Sequence, residues 1–124
     1  MNKITDNIAQ SATLPADFYF DPVIWEQMKE AVFAKSWLYI GDEREIFNVA
    51  INTYPFFLLE KYIEEPLVLT KKEEEIRCLS NVCTHRGFIV AHHPGKNRKL
   101  TCAYHGRRFN LEGKFEFMPE FKEA

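Results

Sequence analysis

The chain has 124 residues, 46% hydrophobic and 27% charged, with 16 Lys and Arg against 18 Asp and Glu for a net charge of −2. That length builds one modest core rather than two, and the near-neutral balance gives no argument for nucleic acid or a membrane surface as partner. No apolar run approaches the roughly 20 residues of a spanning helix. The opening MNKITDNIAQSATLPAD lacks the apolar centre of a secretory leader, so the expected location is cytoplasmic.

In chain order, residues 1–14 are polar and aperiodic and read as a flexible tail. Asp21-Pro22 supplies a capping residue and a proline at the first helical position. Ile24, Trp25, Met28, Val32 and Phe33 then recur at helical spacing, which predicts one amphipathic helix over 21–35. Trp37-Leu38-Tyr39-Ile40-Gly41 alternates as a strand would, so 15–41 reads as a helix and a lead-in strand. From 42 to 124 the pattern is β. Short apolar runs at 54–59 and 67–70 lead to a charged turn at 71–75 and a hairpin partner at 76–81. A short strand is expected at 99–101. Arg108-Phe109-Asn110 and Lys114-Phe115-Glu116-Phe117 flank Leu111-Glu112-Gly113 as a last tight hairpin. The expected fold class is mostly β, a small antiparallel domain preceded by one amphipathic helix.

Two ligand pairs face each other across sixteen residues: Cys83-Thr84-His85 and Cys102-Ala103-Tyr104-His105. They offer two thiolates and two imidazoles from two loops, the donor set of a Rieske [2Fe–2S] centre, in which two Cys hold one iron and two His the other. Residues two apart in an extended segment point the same way, so Cys83 and His85 can serve one site. Gly87 and Gly106 permit a tight backbone path around it. Neutral imidazoles in place of two thiolates remove negative charge and ease reduction. Such a centre passes single electrons and performs no bond chemistry. Spacing alone leaves a structural zinc site open, since Cys2His2 sets bind zinc tetrahedrally; the single residue between Cys83 and His85 is shorter than zinc loops usually have. Cys78, the third cysteine, sits in alternating sequence and is expected to be a small buried hydrophobe. A reducing cytosol argues against a disulfide.

Cys83-Thr84-His85-Arg86-Gly87 and Cys102-Ala103-Tyr104-His105-Gly106, followed by Phe109-Asn110-Leu111-Glu112-Gly113-Lys114-Phe115, resemble the Rieske domain of ring-hydroxylating oxygenase α subunits. Leu14-Pro15-Ala16-Asp17-Phe18-Tyr19 and Phe33-Ala34-Lys35-Ser36-Trp37 are similar to the segment preceding that domain, so the likeness runs over about residues 14–121. It implies a [2Fe–2S] cluster with Cys83 and Cys102 on the buried iron and His85 and His105 on the outer one. It also implies a ferredoxin or NAD(P)H-dependent reductase as electron donor. The acceptor is then a mononuclear non-haem iron, held by two His and one carboxylate in a catalytic domain, often within a homotrimer. Respiratory-chain Rieske proteins carry an extra Cys in each loop and a Ser after the second His-Gly. Phe88, Tyr104 and Arg107 stand at those positions, which implies a low-potential centre, on the order of −150 mV. Oxygenase α subunits often have Trp where this chain has Arg107, and Arg107-Arg108 offers a basic pair to an acidic donor.

His92 and His93 remain, but adjacent side chains in an extended loop diverge, so they form no facial triad and read as a solvated turn. The mononuclear iron is therefore expected in a catalytic domain outside this chain. The family's Rieske domain continues with further strands, so the sequence also reads as truncated at its C-terminal end, with a sheet edge left open. The alternative to an oxygenase part is a freestanding Rieske-type ferredoxin. The helix at 21–35 argues against it, since small ferredoxins usually begin near their first strand.

Overall fold

The computed structural model describes residues 5–120. Its contacts divide the chain into two compact units, Met1–Tyr39 and Ile40–Ala124. Of the expected tail, residues 1–4 lie outside the described residues, as does the end of the chain at 121–124.

In the first unit the Asn7 side chain accepts from the Ala9 amide and starts a 3-10 turn, Ile8–Gln10. Two helices follow, α1 (Asp17–Phe20) and α2 (Pro22–Ala31). Asp21 caps α2 by accepting from the Val23 amide at 2.8 Å, with Pro22 at the first helical position. The α-helix is shorter than the periodicity implied. Phe33–Lys35 tightens into a 3-10 turn, and the Ser36 hydroxyl donates to the Val32 carbonyl at 2.7 Å. This local bond offers the last turn an alternative to further α-helix. No strand forms over 37–41, where Trp37 and Tyr39 are exposed. Alternation specifies faces, whereas a strand also requires a ladder partner, and none is provided among the described residues.

The second unit opens on a short helix, α3 (Glu43–Ile46), capped by Asp42 through the Arg44 amide at 2.8 Å. An antiparallel meander follows: β1 (Thr53–Leu58), β2 (Glu65–Lys72) and β3 (Glu75–Ser80). Lys72 pairs with Glu75, so Glu73-Glu74 forms a two-residue turn, with Glu73 at φ +55°. A second antiparallel sheet runs β4 (Leu100–Thr101), β5 (Arg108–Phe109) and β6 (Phe115–Phe117).

The central strand β2 divides the core by its period of two. Val68, fully buried, packs with Cys83, Val90, Leu100, Cys102, Phe109 and Leu111, which joins the two sheets. Leu69 turns to the opposite cluster, with Ile46 and Phe47 and the flanking Ile51, Tyr54 and Phe56. The buried Thr70 hydroxyl donates to the Leu111 carbonyl at 2.7 Å, and Lys72 pairs with Glu112 at 2.6 Å, so β2 is tied to the turn between β5 and β6. Cys78 corrects the expectation of burial: its thiol is exposed, and the desolvation it does suffer pushes it up. It lies opposite Leu69 on the edge strand β3, whereas the cluster covering that face draws its strand residues from β1 and β2.

Candidate metal centre

Both ligand pairs sit at the tips of hairpin-like loops closed by one bonding pattern. In the first, the Cys83 amide donates to the Phe88 carbonyl at 2.8 Å and the Gly87 amide donates back to the Cys83 carbonyl at 3.0 Å. In the second, the Cys102 amide donates to the Arg107 carbonyl at 2.8 Å and the Gly106 amide to the Cys102 carbonyl at 3.0 Å. Each loop turns through a glycine in the left-handed region, Gly87 at φ +68° and Gly106 at φ +71°. Below the tips the necks differ. The second rests on the β4–β5 ladder, Thr101 opposite Arg108 and Leu100 opposite Phe109. The first rests on the bridge between Val82 and Ile89 and on Asn81.

Asn81 is a residue that sequence reasoning missed. It is 3% exposed, and its side chain imitates a strand neighbour: Nδ2 donates to the Ala91 carbonyl and Oδ1 accepts from the Ala91 amide, both at 2.8 Å. Its main chain accepts from Val90 at 3.0 Å. The available signal was an amide side chain ending an apolar strand two residues before a ligand cysteine.

The four expected donors separate into two kinds. Cys83 and Cys102 are each 2% exposed, unbridged, and packed in the same apolar cluster. His85 is half-buried and His105 exposed, with ring centroids 4.8 Å apart in an edge-to-face arrangement. Tyr104 lies against His105 at 3.7 Å and Phe88 against Tyr104 at 5.6 Å, so an exposed aromatic rim borders the imidazole pair. His85 is pushed below the usual histidine range by desolvation, then by the charges of His105, Arg86 and Arg107. A neutral imidazole is the form that ligates metal. His92 and His93 are exposed, in the segment that follows the first loop, and the His92 ring packs edge-to-face on Phe88 with centroids 5.6 Å apart.

This donor set suits a two-iron group: soft thiolates from inside, imidazoles from the surface, two protein donors for each iron. Among the described residues no three or more His, Cys, Asp or Glu side chains gather about a single point. No helix among them is long and apolar enough to cross a membrane.

The chain is similar to known proteins. The Rieske [2Fe-2S] domain model matches residues 37–124. The carnitine monooxygenase oxygenase subunit of Escherichia coli strain K12 is 37% identical over 109 residues, covering 86% of this chain and 28% of the relative. The biphenyl dioxygenase subunit alpha of Paraburkholderia xenovorans strain LB400 is 32% identical over 117 residues, covering 93% and 24%. Among solved structures, the quaternary ammonium Rieske monooxygenase CntA with gamma-butyrobetaine superposes with a TM-score of 0.74 at 30% identity, over 90% of this chain and 31% of that one. Naphthalene 1,2-dioxygenase, at 23% identity and a TM-score of 0.65, shares the fold. The chain spans less than a third of the length of these relatives.

Proposed function

Because the chain belongs to the Rieske [2Fe–2S] domain family, we propose that it is the electron-relaying part of an oxygenase α subunit, with Cys83 and Cys102 holding one iron and His85 and His105 the other. The observation that carries this reading is the matched pair of loops, closed by the same two hydrogen bonds, with buried thiols behind a contacting pair of imidazoles. When bound, the cluster supplies one-electron exchange. The chain's own residues do the rest. Val68, Leu100 and Phe109 pack around the cysteines and keep water from the sulfurs. His85 and His105 form the surface by which an electron enters and leaves, and Phe88 and Tyr104 shield that surface on one side.

The donor we propose is a ferredoxin or an NAD(P)H-dependent reductase. Between Glu75 and Glu112 the chain has seven Lys and Arg and no acidic residue, so the segment bearing both loops favours an acidic partner. The acceptor is a mononuclear iron in a catalytic domain of the kind that oxygenase α subunits carry, reached across a subunit boundary in a homotrimer. We place the protein in the cytoplasm, where a reducing environment keeps its three unbridged cysteines as thiols.

The test is loading of the 124-residue chain with iron and sulfide without oxygen. Equal amounts of iron and acid-labile sulfide, a Rieske-type visible spectrum, and loss of both in Cys83→Ser and Cys102→Ser are expected. A colourless protein that takes up one zinc per chain overturns the assignment.

A further inference from the structure

Arg107 follows the second His-Gly directly, and its carbonyl is the acceptor that closes the Cys102 loop at 2.8 Å. Its side chain is held as firmly as its backbone. The guanidinium carbon lies 4.6 Å from the centroid of Phe115 and 5.8 Å from that of Phe109, and these two rings pack edge-to-face at 6.4 Å. The cation therefore rests on a two-ring shelf whose inner ring is part of the core. Its Nε is buried without a hydrogen-bond partner, and no carboxylate among the described residues pairs with it. A positive charge is thus kept half-buried beside the ligand loops and left unneutralised. The neighbouring Arg108 makes a clear contrast: it also stacks on an aromatic, Phe117, at 5.3 Å, but is exposed.

An unpaired, partly desolvated cation is costly unless something nearby supplies negative charge. Two ferric ions, two sulfides and two thiolates carry no net charge when the other ligands are neutral imidazoles, and one added electron makes the group an anion. A fixed cation two residues after a ligand histidine, on the residue that closes its loop, therefore favours the reduced form over the oxidised one. Resting on the Rieske reading above, we propose that Arg107 is a positioning residue that raises the reduction potential of the centre by its charge, held in place by Phe115 and Phe109. This chain lacks the Ser hydroxyl that respiratory Rieske proteins place there, and the guanidinium acts on the same equilibrium from the same position by a different means.

The experiment is redox titration of the iron-loaded 124-residue protein as wild type, Arg107→Gln, Arg107→Lys and Arg108→Gln, at low salt and at 1 M salt. Arg107→Gln is expected to lower the reduction equilibrium constant about tenfold, equivalent to about 59 mV for one electron. Most of that should persist at high salt, because the charge is partly buried. Arg107→Lys should recover most of it. Arg108→Gln removes the same charge from an exposed site and should shift the constant less than twofold at high salt. Equal potentials in Arg107→Gln and Arg108→Gln overturn the proposal, and so does an Arg107→Lys protein that behaves like Arg107→Gln, since packing would then be the cause. Should Arg107→Gln not fold, Arg107→Lys and Arg107→Met compared with wild type decide the matter by the same criterion. A wild-type chain that binds no iron–sulfur cluster defeats the Rieske reading itself, an outcome distinct from a cluster whose potential ignores residue 107.

Discussion

Replacing Asn81 with Ala should loosen the first ligand loop at its neck. The residue is 3% exposed, and two of its 2.8 Å bonds go to both polar groups of one backbone unit, the amide and carbonyl of Ala91. Truncation leaves both unpaired. An unsatisfied buried group costs about 1–3 kcal/mol, and Ala91 is only half-buried, so water recovers part of the loss. The expected destabilisation is about 2–4 kcal/mol, read as a lower urea midpoint at unchanged m-value. Asn81→Asp separates hydrogen bonding from packing. It nearly conserves volume and keeps an acceptor for the Ala91 amide, but sets a carboxylate oxygen against the Ala91 carbonyl. It should therefore cost at least as much as Ala. If Asn81→Asp lies within about 0.5 kcal/mol of wild type, the side chain is a filler and the reasoning about the loop neck is wrong.

The two loop glycines should respond unequally to alanine. Both have positive φ, but a Cβ at Gly87 meets nothing within 4 Å, while one at Gly106 meets Pro119 Cγ at 3.0 Å. Thermal melts should show Gly87→Ala costing about 1–2 kcal/mol from backbone strain alone, and Gly106→Ala measurably more. Lys72 holds the Glu112 carboxyl below the usual carboxylate range by a hydrogen bond. The folded value lies below the unfolded one, so this contribution is fully present above about pH 4.5 and is lost as pH falls through the folded value. Denaturant midpoints followed from pH 7 to pH 3 should show wild type converging on Glu112→Gln at the acid end; a constant gap contradicts the linkage.

The sheet hairpins were legible because their signals are local. Charged residues 71–75 between apolar runs, and Gly113 between Phe109 and Phe115, each specify a turn and a period of two, and β2–β3 and β5–β6 form there. The two loops were legible for the same reason, since a Cys, a His and a Gly within five residues define a tight turn, and both close there. What escaped depends on partners distant in sequence. The apparent strand at 37–41 has the right alternation but no described ladder to join. Cys78 alternates like a core residue, yet lies on an edge strand beyond its cluster. Asn52 and Asn97 bond across 45 residues through the Asn52 side chain, at 2.9 and 2.8 Å. Neither asparagine has a local pattern to announce that pairing.

The loops also differ in a way that distinguishes fold from function. From each cysteine the glycine is four residues on and the accepting carbonyl five, so loop closure is the same in both. The histidine, however, is two residues on in the first loop and three in the second. The closing bonds are backbone bonds that use neither imidazole, whereas the offset places the two rings 4.8 Å apart. Interchanging the two residues, His85→Arg with Arg86→His, alters one half-buried and one exposed position and leaves both closing bonds intact. The half-buried His85 has contacts of its own, so stability without metal should fall by about 1 kcal/mol while the fold persists. The imidazole, moved along the loop, no longer meets His105, and the loaded protein should lose its Rieske-type spectrum. A double variant that unfolds would show that the histidine serves loop closure. One that keeps both fold and spectrum would show that the imidazole pair is not the outer ligand set.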